Sequence, residues 1–273
     1  LLVTGEKAVF LTDSRYIEAA QNKITSCDEI LQIKSMESDL MPLIESLEIK
    51  KLELESERIT VSRYQKIREL VPDVYVTCDG SLDGAIDDIR IKKNETEVAK
   101  IVKAQRIAEK AFDYILGFIS TDKTEKEIAL ELEYFMLRNG ADALSFETIC
   151  VSGKNSSLPH GVPTDKKIEN GDFITMDYGS ITDFYHSDMT RTVAVGEVSS
   201  KQIEVYETVL KAQMAGVDAV KAGTDCKAVD AVSRKIISDA GYGEYFGHGL
   251  GHGVVWQCRH KPSIAPKIAK RAV

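Results

Sequence analysis

Asp177 and Asp188 lie eleven positions apart in the stretch ITMDYGSITDFYHSDMTRT at 174–192. The run 173–178 is apolar-rich and reads as one strand. Gly179, Ser180, Thr182 and Asp183 carry turn chemistry. From Phe184 to Val195 the chain resumes with aromatic and β-branched residues suited to a second strand. The two carboxylates therefore belong to the two arms of a β-hairpin. If they oppose each other directly, the pairing centre falls between Thr182 and Asp183. Opposed side chains have Cβ atoms roughly 5 Å apart, where like charges repel. A multivalent cation between them removes that repulsion, and oxygen ligands suit hard or borderline cations. The plain alternative is two exposed hairpin carboxylates.

A second stretch adds imidazoles. Residues 247–253 read GHGLGHG, with glycine at every other position. That composition argues against a helix and for an extended segment that another group approaches closely. On such a segment His248, Leu250 and His252 share a face. Two imidazoles following two carboxylates make a mixed nitrogen and oxygen metal site. Only five histidines occur in the chain, and two fall here.

MDYGS, then SDMTRT, then GHGLGHG resembles the pita-bread metallopeptidases, and within them the Xaa-Pro group of aminopeptidase P and prolidase. The stretch FETICVSGKNSSLPHGVPTDKKIENGD at 146–172 resembles that group too. The similarity runs from about 92 to 254. It implies an α+β pita-bread (creatinase/aminopeptidase-like) catalytic domain preceded by a small α/β domain. It also implies two divalent metal ions, Mn2+ first, with Co2+ or Zn2+ as alternatives. Asp177 would be a bidentate ligand, Asp188 a bridging ligand and His252 the imidazole ligand. His160, in the S-L-P-H-G element, and His248 would donate hydrogen bonds to substrate and to the tetrahedral intermediate. A metal-bridging hydroxide would be the nucleophile. The implied substrate is a peptide with proline in second position, whose nitrogen carries no N–H. A homodimer is implied as well.

The resemblance breaks after Val254. Relatives of this kind continue through a third active-site histidine to a proline. Here Arg259 takes that place if Pro262 is the matching proline, and His260 is displaced by one residue. The group also uses two later glutamate ligands, yet 253–273 contains no Asp or Glu. Two carboxylates and one histidine would under-coordinate a metal pair. The expectation is a domain cut short at its C-terminus or misread by a local frameshift, with a natural inactive paralogue as the alternative. The intact upstream motifs favour the former. The chain opens Leu1-Leu2-Val3, without Met or a signal peptide, and is expected to be truncated at its N-terminus as well. Rival readings are a non-catalytic peptide-binding module and methionine aminopeptidase, whose core needs no preceding domain.

The elements that must position these groups follow from patterning. In 1–85, strands at 8–12, 29–34, 52–54 and 74–78 alternate with helices at 14–23, 37–47 and 61–71, giving the small α/β domain. It holds no cluster of ligand spacing; its role is oligomerisation, shaping the mouth of the site, or plain support. The turn-rich 78–84 marks the boundary, and the catalytic domain spans 92–273. Helices follow at 97–119 and 124–137, the latter with Thr124 and Glu127 as an N-terminal cap. Charges on these two helices read as solvated faces. Further helices at 204–221 and 225–240 end at glycines. His160 sits in a rigid loop between Pro159 and Pro163.

Composition bounds the partners. The 273 residues are 43% hydrophobic and carry net charge −8, ample for one or two domains and without a nucleic-acid face. No apolar run approaches the ~20 residues of a membrane helix. Five scattered cysteines, with no C-x-x-C, suit a reducing cytoplasm.

Overall fold

The computed structural model describes residues 1–255 and 260–265. The chain divides into two compact units, Leu1–Asp87 and Asp88–Val273.

In the first unit the order is β1 (Leu2–Val3), β2 (Ala8–Thr12), α1 (Ile17–Lys23), β3 (Glu29–Gln32), α2 (Met36–Ser46), β4 (Lys51–Glu53), α3 (Val61–Leu70) and β5 (Tyr75–Thr77). β2 pairs parallel with β3, and β4 parallel with β5, as strands joined through helices must. Leu40, Ile44, Leu52, Ile67 and Val71 form its core. The expected turn at 78–84 is instead the start of a helix, α4 (Ser81–Ile91). Asp79 Oδ1 accepts from the Ser81 backbone N–H at 3.0 Å and so satisfies an orphan donor of its first turn.

The second unit opens with α5 (Glu95–Ile115) and α6 (Glu125–Arg138). α5 begins two residues before the expected 97. Asn94 and Glu97 form a capping box there, which fixes the start ahead of the first apolar position. Thr124 and Glu127 form the same box on α6, as their spacing predicts. Strands follow: β6 (Ala143–Leu144), β7 (Ile149–Ser152), β8 (Phe173–Tyr178), β9 (Ser180–Thr182), β10 (Tyr185–His186) and β11 (Met189–Ala194). They make two antiparallel three-stranded sheets, ordered β11-β8-β7 and β10-β9-β6. α7 (Ser200–Ala219) starts ahead of the expected 204 because Ser199 and Gln202 build a third capping box. α8 (Cys226–Asp239), capped by Asp225, packs against it. β12 (Gly251–Gly253) and β13 (His260–Ile264) close the described chain.

The core joins one face of α5 and α6 to β8. Ile107, Ala111, Ile115, Ile128, Leu132 and Met136 meet Ile174, Met176 and Tyr178. Three hydroxyls on one face of the β8–β9 arm also bond to α5. Tyr178 Oη donates to the Ala108 carbonyl at 3.3 Å. Ser180 Oγ donates to Ala104 at 2.8 Å, and Thr182 Oγ1 to Lys100 at 3.4 Å. The opposite face, carrying Thr175, Asp177 and Ile181, is less buried.

One expected solvated charge is buried. The Glu125 side chain, in the first turn of α6, is fully enclosed and accepts four hydrogen bonds. Among the described residues no helix is long and apolar enough to cross a membrane.

Candidate metal centre

Strands β8 to β11 form one long hairpin. Thr190 pairs with Asp177, Met189 with Tyr178, His186 with Ile181 and Tyr185 with Thr182. All these pairs share one register, so the centre lies between Asp183 and Phe184, one residue later than direct opposition of the aspartates requires. Ser180 and Thr182, expected in the turn, are in strand β9. The reason is the loop: Asp183 and Phe184 both take positive φ, 51° and 70°. A two-residue type I′ turn needs that at both central positions. Asp142 Oδ2 holds the Asp183 backbone N–H at 2.7 Å, and Lys103 pairs with its carboxylate at 3.1 Å.

The same register sets Asp188 opposite Gly179. Asp177 and Asp188 are thus diagonal neighbours on one face, a relation that typically spans about 7–8 Å between backbones. Gly179 is required at this level. A β-carbon there would overlap the Ser187 carbonyl oxygen and come within 2.9 Å of the Ser145 Cβ. The arms approach this closely only because one residue lacks a side chain.

His252 reaches this face from β12. Its Nε2 lies 3.4 Å from Asp188 Oδ2, with both side chains mostly buried. The neighbouring backbone helps bring them together, since the His186 N–H donates to the Val255 carbonyl at 2.9 Å. His252 Nδ1 is 3.1 Å from the Gly253 carbonyl, which can only accept. With the proton on Nδ1, a neutral ring presents the Nε2 lone pair to a carboxylate oxygen. Two acceptors facing each other call for a proton or a cation between them. This donor pair fits a borderline divalent ion in kind. It is incomplete in number: among the described residues no group of three or more His, Cys, Asp or Glu side chains could hold a metal.

The other two predicted site residues are both exposed. His160 is exposed in a turn closed by the Gly161 N–H to the Leu158 carbonyl at 3.2 Å, with Pro159 at its first corner. His248 is exposed, its Nδ1 2.7 Å from the Gly249 carbonyl and its ring edge-on to Phe246. The segment 247–253 is not extended throughout. It bends at His248 and Leu250 and becomes a strand only from Gly251. Arg259 lies outside the described residues.

Three groups near the site escaped the sequence reading. His186 shares the face of Asp188 and meets Ser145 Oγ at 2.8 Å. Burial pushes its imidazole below the ordinary value, and an interaction with the Ser145 backbone opposes that. Asp230 and Arg234 on α8 bind each other and the glycine-rich segment. The only sequence signal for them was an i, i+4 acid–base spacing, which any solvated helix face also shows.

Comparison with known proteins identifies the fold and the family. The description Metallopeptidase family M24 matches residues 99–272, and Creatinase/Prolidase N-terminal domain matches residues 1–92. An Xaa-Pro dipeptidase of Pyrococcus horikoshii is 39% identical over 266 residues, covering 97% of this chain and 73% of that protein. The structure of X-Pro aminopeptidase from Thermotoga maritima superposes with a TM-score of 0.90 at 36% identity, covering 100% of this chain and 76% of that one. Xaa-Pro dipeptidase from Bacillus anthracis gives a TM-score of 0.92 at 38% identity, covering 99% and 74%. With its α+β pita-bread fold and its creatinase/prolidase-type N-terminal domain, the chain belongs to metallopeptidase family M24.

Proposed function

We propose that this chain is a metal-dependent Xaa-Pro peptidase, releasing the N-terminal residue from peptides with proline in second position. The observation that carries the reading is the approach of His252 Nε2 to Asp188 Oδ2 on the hairpin face that also bears Asp177. The Xaa-Pro names of similar proteins support the substrate class. Asp177, Asp188 and His252 are the proposed ligands of two divalent ions, Mn2+ first and Co2+ or Zn2+ next. When bound, such ions acidify a water and polarise the scissile carbonyl. His160 and His248 are the proposed hydrogen-bond donors to the substrate and its tetrahedral intermediate. The proposed layout is an N-terminal domain over 1–85 and a peptidase domain over 92–273, in a cytoplasmic homodimer.

A second reading, a non-catalytic peptide-binding module, is favoured by one observation: among the described residues no group of three or more His, Cys, Asp or Glu side chains could hold a metal. Methionine aminopeptidase is disfavoured by the creatinase/prolidase N-terminal domain. The deciding experiment supplies Mn2+ to the protein and offers Xaa-Pro dipeptides, Xaa-Pro tripeptides and methionine-first peptides lacking proline, with metal uptake followed by calorimetry. Cleavage confined to the proline-second peptides supports the peptidase. Peptide binding without turnover or metal uptake leaves the binding module.

A further inference from the structure

The glycines at 247, 249 and 251 give the histidine-bearing segment no side chains with which to anchor itself, and ordering glycine is entropically costly. Its fixation comes from α8. Asp230, whose side chain is 1% exposed, takes Arg234 in a fork: Nε to Oδ2 at 2.7 Å and Nη2 to Oδ1 at 3.0 Å. The same two residues then hold the segment at every second position. Arg234 Nη1 donates to the Phe246 carbonyl and Nη2 to the His248 carbonyl, each at 2.7 Å. The Leu250 N–H donates to Asp230 Oδ1 at 3.0 Å. The guanidinium also stacks over the Phe246 ring, 4.3 Å from its centroid, and Phe246 in turn meets the His248 ring edge-on. Two residues beyond Leu250 comes His252 with its ring at Asp188.

We propose that Asp230 and Arg234 are positioning residues of the peptidase site, a clamp that sets the path of 246–250 and thereby delivers the rings of His248 and His252. The inference rests on the proposed function for what those rings do, but not for the clamp itself. The planar fork is essential. Four donor contacts from one guanidinium, two to the carboxylate and two to carbonyls, exceed what a lysine ammonium can supply with its three donors. The Asp230 carboxylate is buried, so removing its guanidinium partner leaves a buried charge uncompensated.

The test compares Arg234→Lys and Asp230→Asn with the parent by amide hydrogen exchange and by NMR of the His252 ring. The expected result is exchange at Leu250 faster by roughly 10- to 100-fold and a broadened or shifted His252 ring signal, while exchange at Met176 in β8 is unchanged. Steady-state hydrolysis of a proline-second peptide should show kcat lower by roughly 10- to 100-fold with KM little changed, as misplacement near 1 Å produces. Unchanged Leu250 exchange in Arg234→Lys overturns the clamp. Leu250 and Met176 accelerating together also overturns it, since that is general destabilisation. A loosened segment with parental kcat and KM overturns the positioning role. A parent that cleaves no proline-second peptide removes the proposed function, while the exchange and ring measurements still decide the clamp.

Discussion

Replacing Glu125 tests whether a buried carboxylate ties the start of α6 to the loop that carries His160. Glu125 Oε1 accepts from the Ser152 N–H at 2.6 Å and its hydroxyl at 2.8 Å. Oε2 accepts from the Thr164 N–H at 3.0 Å and its hydroxyl at 2.6 Å. Lys166 Nζ donates to the Ser152 hydroxyl at 3.0 Å, which fixes the direction of that bond. In Glu125→Gln the amide oxygen can keep one pair of donors. The amide nitrogen then faces the other pair, of which the hydroxyl can turn but the backbone N–H has no alternative. One orphaned backbone donor costs about 1–3 kcal/mol. Glu125→Ala orphans two backbone donors, about 2–6 kcal/mol on the same scale. The charge adds a pH signature. Burial pushes the Glu125 pKa up, but the bonds from Thr164 and Ser152 outweigh it and hold the carboxyl below its ordinary value of 4.5. A depressed folded value means the stabilisation is full above about pH 4.5 and is lost as pH falls through the folded pKa. Glutamine does not titrate, so the gap between parent and Glu125→Gln should close in acid. Native-state hydrogen exchange reads this, with Met176 reporting the second unit and Leu52 in the first unit as control. Both variants within about 0.5 kcal/mol of the parent at neutral pH would refute the reasoning.

Gly179→Ala should force the hairpin arms apart beside Asp188. Calorimetric unfolding should show a loss of more than about 2 kcal/mol, and a parental transition would contradict the close approach. Asp188→Ala should abolish Mn2+ uptake while far-ultraviolet circular dichroism stays parental; metal content equal to the parent's would count against the ligand assignment. Phe184→Gly should stabilise the hairpin by roughly 0.5–1 kcal/mol in urea unfolding, because Phe184 holds φ 70° with its ring 80% exposed and an Asp-Gly pair suits this turn. A loss of stability there would mean the ring contributes more than the strain costs.

The strand and helix periodicities carried most of the architecture. Thr124 and Glu127 marked the start of α6 outright. Asn94 with Glu97 and Ser199 with Gln202 obey the same rule, but the expected boundaries at 97 and 204 fell inside these caps. The hairpin was legible as two arms and not as a register. Asp-Phe is not a usual type I′ pair, and the Asp142 and Lys103 contacts that hold Asp183 are distant in sequence. Alternating glycines do suggest an extended strand, yet the strand forms only from Gly251, and the Asp230 and Arg234 contacts that hold 246–250 come from another element, α8. Glu125 looked solvated because its four donors come from residues 27 and 39 positions away.

The hydroxyl contacts between the β8–β9 arm and α5 have a mechanical consequence. Stepping two residues along a strand advances about 6.8 Å, whereas stepping four along a helix advances about 6.0 Å. The two rulers are nearly commensurate and drift by about 0.8 Å at each step. Tyr178, Ser180 and Thr182 step forward along the strand as Ala108, Ala104 and Lys100 step back along α5, with bonds of 3.3, 2.8 and 3.4 Å. The three bonds form one register between strand and helix. Sliding the strand along the helix by one notch would break it, so α5 locks the longitudinal setting of the arm on which Asp177 rides.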